Sequence, residues 1–84
     1  MVKTESREDE RMPHVVIKMY PGRTQEQKEK LAERITQALI ETIGCQEKSI
    51  SIAVEEVPPE DWDRYVYRPE ILGKSDNLVK KPGY

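Results

Sequence analysis

The sequence has no phenylalanine, one cysteine, one histidine and one tryptophan. A lone cysteine, Cys45, excludes an internal disulfide, and Cys45 with His14 is too small a set for a zinc site. Basic residues number 14 against 16 acidic ones, a formal net charge of −2, so charge gives no case for nucleic acid. No apolar run is long enough to span a bilayer, and residues 1–11 lack the apolar core of a signal peptide. What remains is one small domain with an expected place in the cytoplasm. A chain of 84 residues buries only roughly 60–65% of the surface it exposes when unfolded. With no disulfide or metal to compensate, oligomerisation is the remaining source of buried surface.

Residues 1–11 carry seven charged side chains and one interior apolar residue, Val2. Such a segment cannot bury enough surface to offset its ordering entropy, and disorder is expected. Its run Arg7-Glu8-Asp9-Glu10-Arg11 also resembles what purine-rich codons ahead of a start codon would encode, as if the start had been assigned too early.

From His14 to Tyr20 the β-branched content predicts a strand that Pro21-Gly22 ends. Val15, Ile17 and Met19 share one face, and Val16, Lys18 and Tyr20 the other, as in a strand covered on both sides. Thr24-Gln25-Glu26-Gln27 fits a helix capping box. Leu31, Ile35, Leu39 and Ile43 then recur at near-helical spacing, with Ala32, Ala38 and Ile40 widening the stripe, up to a stop at Gly44. Residues 49–57 predict a second strand, Ile50, Ile52 and Val54 alternating with Ser51, Ala53 and Glu55, and Pro58-Pro59 ends it. Strand, helix and strand make one βαβ unit with two parallel strands and a right-handed crossover, an α+β fold. Residues 60–66 predict a short helix that Arg68-Pro69 interrupts, because the residue before a proline is pushed out of the helical region. Residues 71–73 and 78–84 look like short arms. Two strands and one helix leave a sheet face and both edges bare. A dimer that joins two units into one four-stranded sheet is the economical cover.

The chemistry centres on Met12-Pro13. If translation starts at Met12 and that residue is trimmed, Pro13 becomes an N-terminal secondary amine. An α-amino group ordinarily titrates near ~8, and a nearby cation or an apolar pocket lowers that value, so such a nitrogen can serve as a general base. With residues before it, the same nitrogen is an amide and has no basicity. Taken singly, Pro13 is a strand-start proline, Arg23 a solvated helix-entry residue and Trp62 a packing anchor. His14 is a strand residue and Cys45 a turn residue, neither with a chemical role. Glu55-Glu56 and Lys80-Lys81 are solvated pairs.

Pro13 directly after a methionine, the strand to Tyr20, Gly22-Arg23-Thr24 with Glu26-Gln27-Lys28, and the serine–isoleucine strand at 49–52 together resemble the 4-oxalocrotonate tautomerase family. The resemblance runs over residues 12–84, a tautomerase-like domain. Lys80-Lys81-Pro82-Gly83-Tyr84 is similar to the end of an often dimeric subgroup. It implies a keto–enol tautomerase without metal or cofactor, acting on a small 2-oxo acid or its enol. It also implies a homo-oligomer, a dimer or a trimer-of-dimers hexamer. The resemblance assigns Pro13 as the base, Arg23 to the substrate carboxylate and Trp62 to an apolar pocket wall. Ser51 stands where founding members carry a second arginine that polarises the carbonyl oxygen. Either Ser51 donates a weaker hydrogen bond, or Arg64 or Arg68 reaches in. The rival function for the same fold is a non-catalytic oligomeric binding module with Pro13 blocked by residues 1–11.

Overall fold

The computed structural model describes residues 12–84, and the expectations for residues 1–11 lie outside the described residues. The elements are strand β1 (His14–Met19), helix α1 (Gln25–Ile43) and strand β2 (Ser51–Glu56). A single α-helical turn at Pro59–Trp62 then continues as a π-helix over Asp63–Leu72. Two compact units divide the chain. The first runs to Ile17 and resumes over Gly22–Glu55, and the second comprises Lys18–Pro21 and Glu56–Tyr84.

β1 and β2 pair as a two-stranded parallel sheet. The Ser51 amide donates to the Pro13 carbonyl at 3.2 Å, and the Val57 amide donates to the Met19 carbonyl at 2.8 Å. Both bonds join residues at the same offset along the chain, which is what an in-register parallel pair requires. β2 begins two residues later than its side-chain alternation predicts. Glu47–Ser49 form a 3₁₀ turn instead, with the Ser49 amide and hydroxyl both donating to the Gln46 carbonyl, at 3.1 and 2.8 Å. A serine that satisfies a carbonyl three residues back competes directly with the strand.

In the first unit α1 starts and stops where its capping residues predict. Thr24 Oγ1 accepts from the Gln27 amide at 3.1 Å, while Gln27 Oε1 accepts from the Thr24 amide at 2.9 Å. At the other end Gly44 takes φ 72°, a left-handed conformation open to glycine without steric cost, and its amide donates to the Ile40 carbonyl at 3.1 Å. The half-buried stripe of the helix is Lys28, Ala32, Ile35, Thr36, Leu39 and Ile40. Leu31, Ala38 and Ile43, expected within it, are exposed. Ile52 and Val54 border a space shared with Gln25, Lys28 and Ala32, which puts the even-numbered residues of β2 toward the helix. Just past Gly44, Cys45 is buried to 3% exposure. It lies in the connection after Gly44, where the sequence places it, and its side chain packs within this unit.

The second unit departs most from expectation. Arg68-Pro69 does not interrupt the helix, which passes through Pro69 to Leu72. In an α-helix the proline ring strikes the carbonyl four residues back. Bonding to the fifth residue back widens the turn, and the Gly73 amide closes it on the Arg68 carbonyl at 2.9 Å. Ile71 and Leu72 accordingly belong to this helix and not to an arm. Lys18 pairs with Glu70 within the unit, Val66 is buried, and the Tyr84 ring lies 5.7 Å from that of Tyr67, which ties down the tail.

Among the described residues Cys45 and Val66 are the buried apolar side chains. Val16 of β1 is 44% exposed, and Leu31 and Ile43 of α1 are exposed as well, so the single chain leaves apolar side chains of the first unit uncovered. No helix among the described residues is long and apolar enough to cross a membrane.

Candidate functional site

Pairing the two strand starts brings Pro13 and Ser51 together. Pro13 is half-buried and its carbonyl is held by the Ser51 amide. Ser51 Oγ lies 2.6 Å from His14 Nδ1, so one serine contacts two successive residues of the facing strand. His14 carries no role in the sequence reading. Its partner becomes visible only with the register, since nothing in the spacing of residues 14 and 51 says that two strand starts will meet. Immediately before this group Met12 has φ 34°, a left-handed backbone that costs a residue with a β-carbon roughly 1–2 kcal/mol.

Arg23 sits between two fixed points. Gly22 precedes it with φ 125°, a conformation that favours glycine, and Thr24 caps α1 behind it. The Arg23 side chain is exposed and makes no hydrogen bond or ion pair among the described residues. Its guanidinium therefore keeps its planar fork of five donors for a ligand. The two arginines considered as substitutes for a second cation are engaged in the second unit. Arg68 Nε lies 2.7 Å from Asp63 Oδ2, and Arg64 lies over the Tyr65 ring at 5.4 Å from its centroid.

Trp62, also in the second unit, is half-buried and meets Tyr20 edge-on, with ring centroids 5.2 Å apart and planes at 86°. Together with Asp63, Tyr67 and Tyr84 these two rings line a cavity of about 350 Å³. The indole is thus both a packing partner and a wall of aromatic space. A larger cleft, about 570 Å³, runs along α1 between Glu26, Glu29, Glu33 and Glu47. Four carboxylates there would repel an acidic substrate, which makes the larger volume the poorer candidate.

Comparison with known proteins follows this geometry. The family model described as tautomerase enzyme matches residues 13–74. The "Probable tautomerase" of Xylella fastidiosa (strain 9a5c) is 40% identical over 73 residues, which cover 87% of this chain and 89% of that protein. Tautomerase PptA of Enterobacter sp. (strain 638) is 43% identical over 74 residues, covering 87% and 97% respectively. Among solved structures, YwhB, a homologue of 4-oxalocrotonate tautomerase, is 39% identical with a TM-score of 0.55 over 74% of this chain and 97% of its own. A structure of the 4-oxalocrotonate tautomerase isozymes from Methylibium petroleiphilum is 36% identical, with a TM-score of 0.57 over 60% of this chain and 81% of its own.

The Tyr20 contact gives Trp62 a measurable structural share. An edge-to-face pair contributes about 0.5–1.5 kcal/mol beyond area burial. In a domain of this size each 1 kcal/mol moves the melting temperature by about 4–8 °C. Trp62→Ala should therefore lower the melting temperature by at least about 5 °C, and Trp62→Phe should keep most of it. An unchanged melt for Trp62→Ala would reduce the indole to a pocket wall.

Proposed function

Because the chain belongs to the tautomerase family, with the 4-oxalocrotonate tautomerases as its kin in fold, we propose that it is a keto–enol tautomerase. Its substrate class is a small 2-oxo acid or its enol, its base is the free amine of Pro13, and its setting is the cytoplasm. The observation that supports this most is the position of Pro13. It follows a methionine, begins the family match, and stands at the start of β1 with its carbonyl held by Ser51.

The chemistry needs one proton carrier. In the enol-to-keto direction the Pro13 nitrogen takes the hydroxyl proton, and the oxygen's electron pair forms the carbonyl. The electrons of the carbon–carbon double bond then take that same proton back at carbon. Nothing is consumed, and the base is regenerated. Arg23 grips the substrate carboxylate through its unpaired fork, Ser51 donates to the substrate oxygen, and Trp62 supplies an apolar wall. The assembly is a homodimer, or a hexamer built from such dimers. The support for it is the scarcity of buried apolar side chains beside exposed ones such as Val16, Leu31 and Ile43.

Three outcomes test this. Protein that begins at Pro13 should turn over the enol of phenylpyruvate or 2-hydroxymuconate, and its rate should fall as pH drops and the amine takes up a proton. Protein that keeps residues 1–12 should be slower by at least about 10²–10⁴, the usual contribution of a general base. Equal turnover by the long form, its mass intact, would eliminate Pro13 as the base. Lack of turnover by both forms would leave the binding-module function. Arg23→Ala should reduce kcat/KM about ten- to a hundredfold, the equivalent of the ~1.5–3 kcal/mol of a charged hydrogen bond, with an unaltered melt. Sedimentation at micromolar concentration should show no folded monomer, and finding one would overturn the assembly.

A further inference from the structure

We infer that His14 is a positioning residue for the proposed reaction. Its Nδ1–H holds Ser51 Oγ so that the serine hydroxyl points its own proton at the substrate's carbonyl oxygen. The inference rests on the tautomerase function proposed above.

The geometry favours this over a purely structural bond. His14 Nδ1 and Ser51 Oγ are 2.6 Å apart, while the Ser51 amide is separately committed to the Pro13 carbonyl. One residue is thereby tied at its backbone to the proposed base and at its side chain to an imidazole. Both partners are exposed, so their bond relieves no buried polar group and the fold has little need of it. Side chains alternate along a strand, and Ile52 and Val54 border the helix-side space, which leaves Ser51 on the face that α1 does not cover. A ligand can approach there.

Direction matters within the pair. If the imidazole donates from Nδ1, Ser51 Oγ accepts, and its O–H is free to donate outward. If instead Ser51 donates into a bare Nδ1, the hydroxyl offers an incoming substrate only lone pairs. Charge gathers on the substrate oxygen as the enolate forms, and only a donor stabilises it. The site therefore needs the Nδ1–H arrangement. Hydrogen bonds in such a chain also polarise one another, which makes the serine proton a better donor than an isolated hydroxyl.

The test uses protein that begins at Pro13. His14 is the only histidine, so long-range proton–nitrogen NMR reads its ring without ambiguity. A proton on Nδ1 at neutral pH is expected, and a bare Nδ1 would overturn the inference. Ser51→Ala should lower kcat by about 10²–10³, the usual loss for one oxyanion donor. His14→Ala should lower kcat about tenfold or more with KM little changed. His14→Asn, whose amide nitrogen can occupy the position of Nδ1, should recover most of the loss. Full turnover by His14→Ala, or an asparagine variant as impaired as the alanine one with an equal melt, sinks the inference alone. Lack of turnover by the parent sinks the proposed function and this inference with it.

Discussion

The bond from the Ser51 amide to the Pro13 carbonyl fixes more of this molecule than its 3.2 Å suggests. Parallel strands cannot be joined by a tight turn, so this pairing requires a long crossover, and α1 is that crossover. Because side chains alternate along a strand, a slip of one residue would turn Ile52 and Val54 away from the helix and Ser51 toward it. The same slip would part Ser51 from His14. The hydrophobic pattern of β2 therefore sets the same register that brings Pro13, His14 and Ser51 together at the strand starts.

That alignment rests on little buried surface. Cys45 and Val66 are the buried apolar side chains among the described residues, most others are half-covered or exposed, and no residue of α1 is buried. Fixing each residue's backbone costs about 1–2 kcal/mol, while a side chain recovers its full ~1.5–3 kcal/mol only when wholly removed from water. Half-covered leucines and isoleucines recover correspondingly less. In the proposed assembly a second copy would add burial to apolar side chains that the single chain leaves exposed, such as Val16, Leu31 and Ile43.

The parts legible in the sequence are those that local chemistry decides. Thr24 and Gln27 satisfy each other's amides across three residues, and Gly44 takes a conformation that few residues accept, so both ends of α1 follow from short motifs. What the sequence hid depends on distant partners or on a rarer geometry. Pro69 forbids an α-helical turn, and the inference that the helix stops there overlooks the wider turn that accommodates the ring. The burial of Cys45 in the connection after Gly44 shows only once the chain's direction there is known. His14 has no visible partner until residue 51 stands opposite it. The roles considered for Pro13, Arg23, Ser51 and Trp62 come from the family resemblance, and the structure adds that Pro13 pairs with Ser51 and that Arg23 has no carboxylate partner among the described residues.

A serine in place of a second cation alters what the site asks of its neighbours. A cation attracts a developing oxyanion from many directions, with about 4 kcal/mol at ~4 Å and the effective dielectric of a protein surface, whereas a hydroxyl stabilises it only when its proton is aimed at the oxygen. In the proposed reaction the direction of the hydroxyl therefore matters more than its charge, and direction is what a hydrogen bond from His14 Nδ1 to Ser51 Oγ would supply. Such a lone donor suits best a substrate whose oxygen gathers little charge in the transition state, because conjugation spreads it over neighbouring atoms.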